Sequence, residues 1–173
     1  MGFSTALSSF IVMVGLLITF SLVASTSIWC TLEVSNVAKK YVNLEKMKLD
    51  VKLELQINYV NESACNITVR NLGSRIIFFK SQRGFRWNTI VFSYWSSSWR
   101  SYLIENFTIL KVKVINSSIS FKPENHSFIA PGEEAIIYFK LPEDAPAIPQ
   151  NAVFTVAFIS HYGVSAVKEG VRT

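Results

Sequence analysis

Few side chains in this sequence of 173 residues belong to types that do covalent chemistry, and their spacing argues against most of it. Two histidines are present, His126 and His161, and two cysteines, Cys30 and Cys65. Neither histidine stands at metal-ligand spacing from a cysteine or from the other, so no zinc or copper site is expected. Glu133-Glu134 and Glu143-Asp144 are adjacent carboxylates close to proline, and they read as solvated turn residues rather than a general acid/base pair. The chain contains no G-x-S-x-G, no Gly-rich phosphate loop and no H-E-x-x-H. The expectation is a protein that is not an enzyme, with no catalytic residue, no cofactor and no metal.

Binding chemistry is better represented. Between Phe85 and Tyr102 lie Phe85, Trp87, Phe92, Tyr94, Trp95, Trp99 and Tyr102, interleaved with Arg83, Arg86, Arg100 and serines. Aromatics and arginine are the types enriched at interface hot spots. The middle of Trp95-Ser-Ser-Ser-Trp99 is too polar for a strand, which predicts a loop displaying two indoles. Trp95, Trp99 and Arg100 are therefore the expected partner-binding residues. The competing reading puts Phe85, Phe92 and Tyr94 in a core and folds the loop tryptophans over an open sheet edge.

The element that positions everything else is the stretch Phe3 to Trp29, 27 residues without Asp, Glu, Lys, Arg or His. As a helix rising about 1.5 Å per residue it would span a hydrocarbon core of about 30 Å with some tilt. A signal peptide would have a basic leading region and a shorter apolar run, and neither is present. On a helical projection Ser4, Ser8, Gly15, Thr19 and Thr26 share one narrow sector, a small polar stripe able to serve as a packing face against another helix. The same hydroxyls can instead bond back to their own helix carbonyls.

All 17 basic and 12 acidic residues follow this segment, with no Lys/Arg run longer than Lys39-Lys40, so the surface is generally basic and no nucleic-acid partner is expected. Lys39, Lys40, Lys46 and Lys48 flank the span and would hold the following domain inside the cell by the positive-inside rule. Five N-x-S/T sequons oppose that, at Asn61, Asn66, Asn106, Asn116 and Asn125. The cluster makes these the N-glycosylation candidates and favours a domain outside the cell. With only two cysteines in different contexts, a disulfide framework is not expected.

Residues 1–30 thus read as a transmembrane helix. Residues 31–48 read as a helical stalk or linker, in which Leu32, Val37, Tyr41 and Leu44 recur at near-helical spacing. From Leu49 to Tyr59 apolar residues alternate strictly with polar ones, the period of a half-buried strand. Further strands are expected at Cys65–Val69, Arg75–Lys80, Trp87–Tyr94, Phe107–Ile115, Ser118–Lys122, Ala135–Leu141, Ala152–Ser160 and Val164–Val167, with turns at Asn71-Leu72-Gly73-Ser74, Pro131-Gly132 and Gly163 and a fraying tail. The fold class is mainly β: a transmembrane helix followed, over residues 49–173, by an immunoglobulin-like antiparallel β-sandwich outside the cell.

Met1-Gly2-Phe3-Ser4-Thr5-Ala6 running into an uncharged helix, then Ile67-Thr68-Val69-Arg70-Asn71-Leu72-Gly73-Ser74, resembles the archaellum stator protein FlaF (ArlF) family. Pro131-Gly132-Glu133 before an apolar strand, and Phe154 to Ser160 followed by Tyr162-Gly163-Val164-Ser165-Ala166, are similar to that family's closing strands. The related stator FlaG and archaeal type IV pilin-like proteins share the plan, but no Lys/Arg-Gly processing site precedes the helix and no Glu lies near its start. The resemblance implies a single-pass cell-membrane protein of an archaeon with its sandwich beneath the S-layer. It implies a non-catalytic role, tying the stationary parts of the archaellum to S-layer protein. The implied partners are S-layer protein, FlaG-like stator or motor subunits, and a second copy as a homodimer. Two alternatives stand beside it: a filament subunit assembled through its N-terminal helix, and a secreted carbohydrate-binding or sensor module.

Overall fold

A computed structural model of the chain describes residues 2–82, 85–104 and 106–173. It divides into two compact units, Met1–Glu45 and Lys46–Thr173. The first unit is part of α1, one uninterrupted helix over Gly2–Leu49. Its 48 residues contain no proline, and at about 1.5 Å per residue they measure roughly 70 Å. This is a helix long and apolar enough to cross a membrane. Lys46 and Lys48 occupy the last turn, where cations offset the dipole.

The helix overruns the expected start of the first strand. Leu49 is still helical, and β1 covers Leu53–Val60 rather than Leu49–Tyr59. The residues between have another use. Leu72 N–H donates to the Lys52 carbonyl (2.8 Å), Ser74 N–H to the Asp50 carbonyl (2.9 Å), and Arg75 pairs with the Asp50 carboxylate (3.1 Å). A Cβ on Gly73 would lie 2.5 Å from the Asp50 oxygen and the Lys52 nitrogen, so only glycine admits this approach. Alternation in the sequence could not show that two of its positions, Asp50 and Lys52, serve a turn about 20 residues away.

The other strands are β2 (Ala64–Asn71), β3 (Ile77–Phe78), β4 (Ser81–Gln82), β5 (Phe85–Arg86), β6 (Thr89–Trp95), β7 (Trp99–Ile104), β8 (Phe107–Val114), β9 (Ser120–Phe121), β10 (Phe128–Ile129), β11 (Glu133–Lys140), β12 (Val153–Ile159) and β13 (Ser165–Val171). They form an antiparallel sheet in the order β1-β2-β11-β8-β9 and a second in the order β13-β12-β6-β7, with the short pairs β10-β3 and β4-β5. The fold is a helix followed by a β-sandwich, as the alternation predicted. Ile67, Val69, Ile137 and Phe139 from the first sheet and Phe92, Tyr94, Phe154, Val156 and Phe158 from the second are fully buried between them. Phe92 stacks on Phe154 (5.6 Å, 22°) and meets Phe139 edge-on (5.9 Å, 67°). Gly170 in β13 accommodates the Phe154 ring, whose Cζ would be 2.7 Å from a Cβ there.

Three expectations fail here. The tail does not fray: β13 runs to Val171, and Arg172 closes it through backbone bonds with Ala152 and Asn151 and side-chain contacts to the Ile148 carbonyl and Glu62. β7 was not expected at all, because its serine-rich approach reads as loop. Glu133 and Glu134 are not solvated turn residues but open β11, and both are buried. Glu133 accepts from Ala130 N–H (2.7 Å) and contacts His126 Nε2 (2.9 Å). Glu134 pairs with Arg70 and Lys113, both at 2.6 Å, its cross-strand neighbours on β2 and β8.

Candidate interaction surface

The two sheets present opposite chemistries to their surroundings. On the outside of the β1-β2-β11-β8 sheet, register aligns Glu54, Arg70, Glu134 and Lys113 across four strands. Arg70 also reaches Glu54 (3.5 Å), so the row alternates in sign throughout. Burial alone would push the Glu134 carboxyl up. Hydrogen bonds from Lys113 and Arg70, and their charges, outweigh it and hold it below the usual carboxylate range. Asn58, Asn66 and Thr68 extend this polar face through amide and hydroxyl bonds of 2.8–3.2 Å.

The outside of the β13-β12-β6-β7 sheet is built differently. Its register sets Val171, Val153, Trp95 and Trp99 in one row, Glu169, Thr155, Ser93 and Ser101 in the next, and Val167, Ala157, Val91 and Leu103 in a third. Glu169, on the edge strand, is the single charge among these positions. Val153, Val167, Val171, Leu103, Trp95 and Trp99 are between 43 and 56% exposed. Ser93 and Ser101 satisfy each other at 2.8 Å. Four strands about 4.8 Å apart and seven residues at about 3.4 Å give a face of roughly 20 by 24 Å. That is about half of the roughly 800 Å² that one partner contributes to a standard interface. A face of this extent, with Glu169 at its edge as the only charge among these positions, is comparable to the largest apolar patch of an ordinary monomer, which is often functional.

The tryptophans close the β6–β7 hairpin. Trp95 and Trp99 are opposite each other in register, their rings edge to face at 6.0 Å and 73°, about half exposed at one end of the face. They are strand residues displayed by a tight turn rather than members of a loose loop. Arg100 is not with them: one residue further along β7, it pairs with Tyr94 on the other side of the sheet and lies exposed at its edge. Tyr94 is buried and donates to the Pro146 carbonyl (2.5 Å), with Tyr102 stacked on it at 5.9 Å. Burial first, and then Tyr102 beside it, push the Tyr94 phenol up to about 12.

The rest of the aromatic stretch divides. Phe92 and Tyr94 are core, as one of the two readings held. Trp87 joins His161 (5.6 Å) and the Lys80 ammonium (5.6 Å), and the Arg86 guanidinium lies over the Phe107 ring (4.2 Å). Arg83 and the Phe85 side chain lie outside the described residues. Sequence reasoning missed the valine and leucine rows of this face, whose signal was the alternation of Val153, Thr155, Ala157 and Ile159 with buried neighbours.

The sequons sort by accessibility. Asn106, Asn116 and Asn125 are exposed, Asn116 in a turn at φ 58°. Asn61 donates to the Tyr59 hydroxyl (2.7 Å) and accepts from Ser63 and Ala64, while Asn66 lies within β2 with its sequon Thr68 buried. In the helix, Ser8, Thr19 and Thr26 bond to carbonyls three or four residues back, including those of Ser4 and Gly15. Among the described residues, a Cβ on Gly15 would meet nothing within 4 Å beyond its own helix backbone and chain neighbours. Cys30 and Cys65 are free thiols, and burial pushes Cys65 up to about 12. Among the described residues, no group of three His, Cys, Asp or Glu side chains is placed to hold a metal.

No protein-family model and no curated protein matches this chain. Solved structures do. A chain of the archaeal flagellum of Methanospirillum hungatei strain JF1 superposes with a TM-score of 0.61 at 11% identity, over 96% of this chain and 93% of that one. The shared fold includes the long helix. The archaellum periplasmic stator protein complex of FlaF and FlaG from Sulfolobus acidocaldarius gives 0.47 at 11% identity over 68% of this chain and 87% of that chain. FlaG alone from the same organism gives 0.46 at 12% over 69% and 99%.

Proposed function

We propose that the chain is a non-catalytic, membrane-anchored component of the archaeal motility machinery, a stator-type protein whose sandwich stands outside the cell and holds S-layer protein. The observation that carries a binding role is the contrast between the sheets: one outer face is an alternating charge row, the other has Glu169 on its edge strand as its single charge among the aligned rows and ends in two exposed indoles. Anchoring rests on α1. An outside location rests on the exposed sequons at Asn106, Asn116 and Asn125. The stator assignment and the choice of S-layer protein rest on the sequence resemblance to the FlaF family.

A second reading has its own support. The likeness to the flagellum chain extends over helix and sandwich together, which fits a filament subunit whose Ser4, Ser8, Gly15, Thr19 and Thr26 stripe packs in a helical bundle. Shearing the cells and measuring the protein in filaments and in membranes separates the two. A tether stays with the membranes as a minor component, and recovery as a major constituent of sheared filaments overturns it.

A further inference from the structure

The aromatic stretch leaves one arginine in a setting that neither reading uses. Arg86 on β5 and Ser81 on β4 stand opposite each other in register, so their side chains share one face of the hairpin. With Asn88 and with Phe79, Phe107 and Ile109 they line a pocket of about 200 Å³. Its walls are fixed. Phe79 packs edge-on against Phe158 of the core (6.5 Å, 72°), and Asn88 Nδ2 donates to the Phe78 carbonyl (2.8 Å) while its Oδ1 accepts from His161 N–H (3.0 Å). The Arg86 guanidinium lies over the Phe107 ring at 4.2 Å. Among the described residues it has no carboxylate partner and no hydrogen bond, and the Ser81 hydroxyl has none either. Burial lowers the Arg86 pKa with no anion to offset it, although an arginine stays charged at neutral pH.

We propose that this pocket binds a single carboxylate carried on a compact apolar body, as a free acid or at the end of a chain. The guanidinium fork matches a carboxylate through two parallel N–H···O bonds, and the Ser81 hydroxyl supplies a further donor on the same face. Lys80, the other cation of the lining, has its ammonium over the Phe78 and Trp87 rings (5.2 and 5.6 Å). One cation is left to meet the ligand, so a monoanion is the matching charge. Phe79, Phe107 and Ile109 offer the rest of the ligand apolar contact. The volume falls below the roughly 300–1,000 Å³ of sites for drug-sized molecules, which limits that body to a few carbon atoms. The inference rests on neither the anchoring nor the S-layer reading.

The test is an NMR titration of the isotope-labelled full chain, held in nonionic detergent at neutral pH, with isovalerate. Signals of Ser81, Arg86, Asn88 and Phe107 should shift together with a Kd of about 1 mM, as a ligand of this size allows. Isovaleramide, which has the shape without the charge, should bind at least about tenfold more weakly. Arg86→Gln should weaken isovalerate binding at least about tenfold and Ser81→Ala about threefold, the ranges for a charged and a neutral hydrogen bond, while Lys140→Gln on β11 leaves it unchanged. The remaining signals show whether each variant is folded, and the amide and Ser81→Ala decide the matter if Arg86→Gln is not. Acetyl-Gly-Gly-Leu separates the sources: binding as tight as that of isovalerate assigns the pocket to a chain end, and exclusion assigns it to a free acid. Equal binding of isovaleramide, shifts spread over exposed lysines and arginines, unaltered binding by folded Arg86→Gln, or no shift at about tenfold the expected Kd would each overturn the proposal.

Discussion

His161 shows how one side chain makes the sandwich sensitive to its surroundings. Its backbone N–H is held by Asn88 Oδ1 (3.0 Å), its ring lies among Phe78, Trp87 and Tyr162, and its Nδ1 is buried without a hydrogen-bond partner. Burial lowers its pKa, and the Lys80 ammonium in the same cluster offers no anion to favour protonation. In the unfolded chain the imidazole titrates near 6.5, so below that pH the unfolded state binds more protons and stability falls. His161→Phe should therefore match the wild type at pH 8 and lose less stability as pH drops from about 6.5 to 5, read by denaturant unfolding. Asn71 works at the same scale. Fully buried, it donates to the Arg75 carbonyl (2.7 Å) and the Ile129 carbonyl (3.0 Å) and accepts from Gly73 N–H (3.1 Å), binding the end of β2 to two loops. Asn71→Ala leaves these groups unsatisfied and should cost about 2–4 kcal/mol in a urea titration.

At the level of elements, the alternating charge row across β1, β2, β11 and β8 is where electrostatics meets stability. Glu134 serves both Arg70 and Lys113 from a buried position, and its removal takes the 2.6 Å anion from each, leaving Arg70 with Glu54 at 3.5 Å. Glu134→Gln should lower stability at pH 7 by about 1–3 kcal/mol. Because the folded carboxyl is held below its ordinary range, its contribution is present above about pH 4 and lost as pH falls through the folded pKa, so variant and wild type should converge in acid. The sequence showed the strands with strong alternation, β2, β6, β8, β11 and β12, because one face of each is core. It hid β7, whose only buried member is Ile104 and whose serines mimic a loop. It also hid the carboxylates. Arg70 and Lys113 stand 64 and 21 residues before Glu134, and only strand order brings them together. The same limit explains the candidate site: indoles at 95 and 99 suggest a contact surface by residue type, but placing Arg100 on the far side requires knowing that the segment is a strand.

For the whole molecule, the proposed role is to hold a partner: an apolar helix precedes a sandwich with an alternating charge row on one outer face and the single charge of Glu169 on the other. The face that ends in Trp95 and Trp99 is small, so these two tryptophans should account for much of the affinity, as hot spots do. Half exposed, with no core packing to lose, they can be removed without unfolding the sandwich. The most direct measurement is to purify the tagged full chain in mild detergent from cells that also make S-layer protein, comparing the wild type with Trp95→Ala/Trp99→Ala. The account predicts that the wild type retains S-layer protein, and that the double variant loses at least about tenfold of it with an unchanged melting temperature, as expected for hot-spot residues outside the core. Equal retention by both, or recovery of filament with no S-layer protein, would contradict it.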